Sequence, residues 1–364
     1  MLRFIHMTFS LGKIFSGLGN VASGPANRVV GIDLGSSSVK VVELEQTEKA
    51  LTLKTYGELQ LGPYGNKELG QIVHLEKKHE IEALVDVFRE AGVKAKHGVL
   101  SMPLSSGFIT VIPVTLDDQE SLEKRIPVEA RKYIPVNIND VTLDWVPLNL
   151  KPINNQQEVL LVAMQNDAVA RFGDLVRSIN IMSEGPELEV FSAIRACSDG
   201  TNDAFAIIDL GAWVSKLYIV RNNSLERIHR VTVGGSNITA KLAELKQISL
   251  AEAEDLKRTA GDDSSLQDVR RTAMSVLDAP VQEFRRSIEQ YEDRIGNQIK
   301  YVSLIGGVAN TIGIVPHLRE TLGRDAKVAN PFTKVAYPAF MEDTIKTIGP
   351  SFAISLGAVL RDFS

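Results

Sequence analysis

The chain has 364 residues and is 44% apolar, so it is long enough for two domains or for one domain with two lobes. Its net charge of −5 argues against nucleic acid as the main partner, and its single cysteine excludes an internal disulfide and a cysteine-rich zinc site. The single cysteine also fits a reducing cytoplasm. The six histidines show no metal-ligand spacing, so we expect no histidine metal site, and no apolar run approaches the length of a membrane span.

Residues 1–27 form a segment of their own. They contain no acidic residue and mix apolar with polar and basic side chains, which predicts a flexible or weakly amphipathic tail rather than a signal peptide. A transient membrane contact is the alternative, and Met7 is a second candidate for the first residue. The part of the tail at 20–27 contains Gly, Ser and Pro, which is typical of a linker.

Residues 29–44 predict a β-hairpin with a polar tip. An apolar run at 29–32 predicts a buried strand, and the strand pattern resumes at Val39. The tip holds a carboxylate, a glycine, three hydroxyls and an ammonium, namely Asp33, Gly35, Ser36, Ser37, Ser38 and Lys40. Hydroxyls, turn amides and an ammonium suit a phosphate, whereas a carboxylate suits a metal ion that reaches the phosphate through water. An ordinary hairpin with a polar tip is the alternative.

The first half of the chain continues with a strand, a helix and a strand at 51–59, 80–91 and 98–102. Residues 104–165 then predict a different arrangement of elements. A strand at 108–114, a helix from 115 to about 133 and strands at 141–148 and 159–164 make up a compact unit. Pro127 is expected to kink or split its helix. This strand–helix–strand–strand unit is predicted to be an insertion before the helix at 167–179.

The second half begins with a predicted helix from Glu187 to Ala196 and a buried strand that ends at Asp209. A hairpin turning at 222–223 follows, and Ser249 with Glu252 predicts a capping box at the start of a helix. The remaining predicted elements are a strand at 228–233, a helix at 238–246, a long helix at 268–294, a strand at 301–305, and helices at 313–322 and 351–360.

One motif occurs twice. IDLGSSSVK at 32–40 and IDLGAWVSK at 208–216 share Ile, Asp, Leu, Gly and Lys in one register, and each copy lies between two predicted strands. Two such hairpins facing each other would hold one phosphate chain from both sides, with Asp33 and Asp209 aimed at one metal ion and Gly211 at the second tip. A third element, LIGG at 304–307, leads a strand into Gly306 and Gly307. These glycines would let a nucleoside lie on the backbone, although a tight turn is the alternative.

These three motifs together resemble those of the actin-like ATPase superfamily. The resemblance implies an α/β fold of two lobes around a nucleotide cleft, with ATP and Mg²⁺ as cofactors. It implies phosphate contacts at 33–40 and 209–216, adenosine contacts at 304–307, and metal contacts through water at Asp33 and Asp209. It further implies a catalytic acid at Glu187, adenosine contacts at Glu254 and Lys257, and phosphate contacts at Gly234 and Gly235. The alternatives are that Glu187 is only an acid in the first turn of a helix, and that Glu254 and Lys257 lie on a solvated helix face. For Gly234 and Gly235 the alternative is a plain turn.

The insertion resembles the extra subdomain of the FtsA/PilM branch. EARKYIP at 129–135, VLLVAMQNDAVARFGDLV at 159–176 and ELEVFSAIRA at 187–196 are similar to the PilM family of type IV pilus assembly proteins. The predicted division is a tail at 1–27, a first lobe at 28–185 with the inserted subdomain at about 104–165, and a second lobe at 186–364 with a helical subdomain at about 232–300.

The resemblance also implies a function. The chain would be a cytoplasmic ATP-binding adaptor of pilus assembly, peripheral to the inner membrane through protein partners. A groove at the inserted subdomain would bind the N-terminal cytoplasmic peptide of a PilN-like inner-membrane protein. Tyr133, Ile134 and Trp145 are candidates to line it, with core packing as the alternative. Other pilus assembly proteins are further expected partners, and the sequence does not decide whether the chain forms a homodimer. The alternative functions are an FtsA-like filament-forming protein, the equivalent component of a type II secretion or competence system, and a small-molecule kinase.

The second hairpin departs from the superfamily pattern. Ala212, Trp213 and Val214 stand where glycine or hydroxyl residues are usual. Trp213 would crowd a γ-phosphate unless it points into the core. We therefore expect the first hairpin to make most of the phosphate contacts, and ATP to be hydrolysed slowly or not at all. Loss of nucleotide binding is the alternative.

Overall fold

The structure is a computed structural model that describes residues 27–115, 121–148, 155–259 and 266–363. Residues 1–26 of the predicted tail, the predicted first turn of the inserted helix at 116–120 and residues 149–154 lie outside these ranges. The strands are β1 (Arg28–Leu34), β2 (Ser38–Gln46), β3 (Leu51–Gln60), β4 (His97–Met102), β5 (Gly107–Thr115), β6 (Val141–Pro147), β7 (Gln156–Gln165), β8 (Glu187–Leu188), β9 (Phe205–Leu210), β10 (Ser215–Arg221), β11 (Ser224–Val231), β12 (Val302–Ile305) and β13 (Ala326–Val328). The helices are α1 (Lys77–Ala91), α2 (Leu122–Ala130), α3 (Asn166–Ser178), α4 (Glu189–Cys197), α5 (Gly235–Lys246), α6 (Leu250–Thr259), α7 (Gln267–Ile295), α8 (Ile314–Leu322), α9 (Glu342–Ile348) and α10 (Ala353–Leu360).

Two five-stranded sheets are built alike. The first has the order β3-β2-β1-β4-β8 and the second the order β11-β10-β9-β12-β13. In each sheet three strands form an antiparallel meander and two further strands lie parallel to the central one. The repeated motif occupies the same register in both, because Asp33 pairs with Lys40 and Asp209 pairs with Lys216. The internal repeat in the sequence is therefore a repeat of structure.

The predicted insertion is a three-stranded antiparallel sheet of order β5-β7-β6, with α2 on one face. The apolar run of β7 is buried on both faces. Val159, Leu161 and Ala163 pack under α2, whereas Leu160 and Val162 join the main core, which includes residues of both five-stranded sheets. A bidentate ion pair between Arg294 of α7 and Glu158 of β7, with N–O distances of 2.5 and 2.9 Å, also links the insertion to the other half of the chain.

The last helix packs on the first sheet. A side chain added at Gly31 in β1 would place its Cβ 2.0 Å from the carbonyl oxygen of Ser355 in α10. On the same helix, a Cβ at Gly357 would lie 1.9 Å from the carbonyl oxygen of Ser192 in α4. Both glycines are needed because backbone meets backbone at these two crossings. The predicted division into lobes stays a prediction, but α10 contacts the first sheet although it lies within the predicted second lobe.

Some local predictions are confirmed and others are wrong. Asn222 and Asn223 form the predicted two-residue turn with φ angles of 52° and 59°, and Ser249 and Glu252 exchange the hydrogen bonds of a capping box. Pro127 lies within α2 and does not split it. The prediction of a helix beginning at Glu187 is wrong, since that residue lies in β8 and the helix begins at Glu189. No helix in the described ranges is long and apolar enough to span a membrane.

Candidate nucleotide site

The tips of the two repeated hairpins have the same backbone geometry. Gly35 donates its N–H to the carbonyl oxygen of Ser38 at 3.0 Å, and Gly211 donates to that of Val214 at 3.3 Å. A Cβ at either glycine would lie 2.9 Å from the carbonyl oxygen that accepts this bond. The glycine shared by the two motifs is therefore required by the turn itself, whether or not a ligand approaches it.

The first tip brings together the predicted phosphate-binding residues. Lys40 donates to the hydroxyl of Ser38 at 2.7 Å and lies 3.4 Å from Glu58, so its ammonium is held beside the turn. The side chain of Ser38 is buried, whereas those of Ser36 and Ser37 are half-buried. Ser36 and Ser37 are thus the hydroxyls of this tip that a ligand could reach most easily.

The carboxyl of Asp33 has a raised pKa. Burial raises its pKa to about 6; Lys40 and Lys216 oppose this effect, and Glu189 and Asp209 add to it. Among the described residues none donates a hydrogen bond to its carboxylate. Charged groups of both hairpins shift the pKa of Asp33, so the two tips lie close together in the fold, as the repeat predicts.

At the second tip Lys216 bridges two acids. Its ammonium lies 3.0 Å from Asp209 and 2.6 Å from Glu189, the first residue of α4. Burial alone would lower the pKa of Lys216, but these carboxylates hold it well above its ordinary value. Glu189 also accepts the backbone N–H of Leu104 at 2.8 Å. Glu189 is absent from the predicted site residues. Its position as an acid in the first turn of a predicted helix is the sequence feature that could have indicated it.

Glu187, the predicted catalytic acid, is held by protein groups. It is 6% exposed, and its two oxygens accept from Arg195 at 2.5 and 2.9 Å and from Ser192 at 2.8 Å. Both partners lie on α4. The side chain therefore fixes this helix against β8, and Glu189, two residues later, is the acid that reaches Lys216.

Gly234 and Gly235 support the second tip from behind. The amide of Gly235 donates to the carbonyl of Gly211 at 2.9 Å, and the amide of Gly234 donates to the side chain of Asn237 at 3.0 Å. A Cβ at Gly234 would lie 2.6 Å from the Gly211 oxygen. These amides already have acceptors, so the two glycines position the tip and do not offer free N–H groups to a phosphate.

Gly306 and Gly307 differ in their surroundings. Gly306 has a φ of +91°, and a Cβ there would lie 2.8 Å from Oδ1 of Asp209. At Gly307 a Cβ would have no described heavy atom within 4 Å. Gly306 therefore packs on the aspartate of the second motif, while the backbone at Gly307 is open to a ligand.

Glu254 and Lys257 form a buried pair on α6, with an O–N distance of 2.5 Å. Burial alone would raise the pKa of Glu254, but Lys257 and the hydroxyl of Thr239 hold it below its ordinary value. Lys257 also donates to the carbonyl of Gly235 at 3.2 Å. The pair thus joins α6 to the start of α5 beside the second tip.

A cavity of about 670 Å³ lies between α7 and the segment after Gly307. Met274 and Ile312 give it apolar lining, and two guanidinium side chains come from α7. Its lining residues are Gln267, Arg270, Arg271, Met274, Ser275, Asp278, Ile312 and Gly313. Guanidinium planes and apolar side chains suit the faces of a flat heteroaromatic ring. No motif in the sequence pointed to this cavity, because its residues come from two distant segments.

Trp213 does not point into the core. It is 38% exposed and packs edge-on against His74, with ring centroids 5.6 Å apart. Of the candidate groove residues, Ile134 is buried in the core of the insertion and Trp145 packs against that core. Tyr133 is 38% exposed and is the most exposed of the three.

Comparison with known proteins gives one family and several solved structures of similar fold. The family model described as "Type IV pilus assembly protein PilM" matches residues 31–363. A structure of the PilM-PilN type IV pilus biogenesis complex superposes with a TM-score of 0.78 at 24% identity, covering 94% of this chain and 100% of that chain. The ethanolamine utilization protein EutJ from Carboxydothermus hydrogenoformans gives 0.57 at 15% identity, covering 94% and 91%. MreB5 of Spiroplasma citri bound to ADP gives 0.50 at 11% identity, covering 92% and 95%. The fold is therefore the actin-like fold that the resemblance implies.

Proposed function

Because the chain belongs to the PilM family of type IV pilus assembly proteins, we propose that it is a nucleotide-binding adaptor of pilus assembly that binds a PilN-like inner-membrane protein. The family match over residues 31–363 carries this proposal. The partner seen in the PilM-PilN complex is the reason for choosing a PilN-like protein.

The nucleotide lies between the two hairpin tips in this proposal. Ser36, Ser37 and Lys40 contact its phosphates on one side, and the open backbone at Gly307 accepts the nucleoside. The cavity between α7 and Ile312 takes the base. Isothermal titration with ATP, with and without Mg²⁺, tests this arrangement. Absence of binding in both conditions would contradict the nucleotide part of the proposal.

Mg²⁺ fits this site as an ion held mainly by the nucleotide. The described residues contain no cluster of three or more His, Cys, Asp or Glu that would bind a metal directly. Mg²⁺ keeps several waters and uses one or two carboxylates together with phosphates, which matches Asp33 and Asp209 on facing hairpins. When bound, the ion would neutralise phosphate charge next to the two aspartates.

In this proposal the protein hydrolyses ATP slowly or not at all. Glu187 is tied to Arg195 and Ser192, and Glu189 is tied to Lys216 and the amide of Leu104. Neither acid is free to orient an attacking water. Occupancy of the site, rather than hydrolysis, then sets the relative position of the two lobes. A steady-state hydrolysis rate above about 1 s⁻¹, a typical enzyme rate, would contradict this part.

The peptide of the PilN-like protein binds at the inserted sheet. β6 is an outer strand, and within the described ranges no strand pairs with its second edge, so an extended peptide can add there. Tyr133 supplies an accessible aromatic contact at the end of α2. The protein is then held at the inner membrane by this partner; other pilus proteins and a second copy of the chain are further candidate partners.

Binding of a fluorescent synthetic N-terminal peptide of the PilN-like protein, followed by polarisation with and without MgATP, tests the adaptor role. Tyr133→Ala should weaken binding about tenfold, the loss expected for one aromatic contact. Phe340→Ala is the matched control, because Phe340 is an aromatic residue that is 87% exposed and lies outside the inserted sheet. No binding in either condition would refute the adaptor role.

A further inference from the structure

Residues 67–76, here called the strap, cross from one lobe to the other. The strap has no helix or strand and lies between a short 3₁₀ helix at Gly62–Gly65 and α1. It belongs in sequence to the first lobe, which carries the first sheet. Three of its residues contact the half of the chain that carries the second sheet.

The first contact is at the start of α6. The amide of Ala251 donates to Oε2 of Glu68 at 2.9 Å, across 183 positions in sequence. An amide in the first turn of a helix has no acceptor within that helix, and a carboxylate is favoured there by the helix dipole. Glu68 thus caps, from the first lobe, a helix of the second.

The second contact is at Gly70, which has a φ of +78°. A Cβ at this position would lie 2.6 Å from Cγ and 2.5 Å from Cδ of Glu254. The backbone of the strap therefore lies directly on the carboxyl group that pairs with Lys257. No side chain fits between them without moving the strap or Glu254.

The third contact joins the strap to the two hairpin tips. His74 packs against Trp213 of the second tip at a centroid distance of 5.6 Å, and Val73 donates its N–H to the carbonyl of Ser36 in the first tip at 3.0 Å. One short segment thus touches both tips and the buried pair on α6.

We propose that the strap is a latch across the edge of the cleft, and that its opening sets the rate of nucleotide exchange. This inference rests on the proposed nucleotide site. The two lobes cannot separate at this edge unless the contacts at Glu68, Gly70 and His74 break together. Each contact is weak by itself, so the latch opens and closes reversibly, and a nucleotide that touches both tips favours the closed form.

Gly70→Ala tests the latch because it adds one methyl group and removes no polar contact. Gly200→Ala is the matched control: Gly200 has a φ of +80°, and no described heavy atom lies within 4 Å of its Cβ position. Both variants carry the same backbone cost of alanine at positive φ. Release of a fluorescent ATP analogue, followed by stopped flow, should be about tenfold faster in Gly70→Ala, because the added methyl group forces the strap away from Glu254, and unchanged in Gly200→Ala.

A second measurement needs no nucleotide. In a Trp145→Phe background Trp213 is the single tryptophan, and its quenching by acrylamide reports whether the strap covers it. Quenching should rise in Gly70→Ala and not in Gly200→Ala. Equal quenching in the two variants would overturn the latch. If the wild-type chain binds no nucleotide, the proposed nucleotide site and its exchange role fail, while the quenching still decides whether the strap joins the lobes.

Discussion

Replacing Asp33 by asparagine should stabilise the protein while removing a charge that the proposed Mg²⁺ would face. Burial raises the pKa of Asp33 from 3.8 to about 6. Between these two pH values the folded chain holds a proton that the unfolded chain has lost, so stability falls as the pH rises from about 4 to about 6 and stays low above that. At about 1.4 kcal/mol per pKa unit the full effect would be about 3 kcal/mol. Because the side chain of Asp33 is only partly buried, we expect about 2 kcal/mol.

Urea denaturation of the wild type and of Asp33→Asn, without nucleotide, measures this difference. At pH 8 the variant should be more stable by about 2 kcal/mol, and the gain should shrink toward zero near pH 4. Asp255→Asn, a neutralisation at an exposed position on α6, should change stability by less than about 0.5 kcal/mol. A variant less stable than the wild type at pH 8, or a difference that does not change with pH, would refute the reasoning. In titration with MgATP, Asp33→Asn should bind at least about tenfold more weakly.

Three further substitutions test separate parts of the structure. Lys40→Ala should weaken ATP binding more than Trp213→Ala does, since Lys40 lies beside the first tip and Trp213 packs on the strap; a titration giving the reverse order contradicts this ranking. Glu187→Ala should lower the unfolding free energy by about 3 kcal/mol, because Arg195 loses its buried partner. Unchanged stability with altered ATP hydrolysis would instead favour the catalytic role. Gly31→Ala should cost more than about 3 kcal/mol in urea denaturation, because the added Cβ meets α10; a smaller loss means that the helix can shift.

The repeated tips could be predicted from the sequence because their signal is local. An aspartate followed by a glycine between two apolar runs specifies a turn, and two copies in one register specify the same turn twice. The side chains that a turn presents depend only on a few consecutive residues. This is why the matching positions of Asp33 and Asp209 were predictable, whereas the order of the strands around them depends on pairings that no single motif contains.

The helix boundary near Glu187 could not be predicted in the same way. In ELEV the two acids alternate with apolar residues, a pattern that fits a strand as well as the first turn of a helix. A two-residue strand is too short to show a period, so the choice between Glu187 and Glu189 depends on β4, which lies more than eighty positions earlier and pairs with β8.

Contacts between distant segments could not be predicted from the sequence. Glu68 and Gly70 belong to a polar loop, and nothing around them indicates that α6 lies against it. The cavity beside α7 combines residues near 270 and near 312. The sequence predicts that Trp213 would crowd a phosphate, because its neighbour in the fold, His74, is far away in the chain. Such features follow from the packing of finished elements and not from any one of them.

The crossing of α10 over β1 has a consequence for how the protein is made. Gly31 leaves the ribosome about 320 residues before Ser355, which at about 5–20 residues per second means about 15–60 seconds of synthesis. Throughout that time the face of the first sheet that includes Val29, Val42 and Leu44 lacks its apolar partners Phe352, Leu356 and Val359. The sheet that is translated first is therefore covered last, and its uncovered face is the surface that a ribosome-associated chaperone would have to protect.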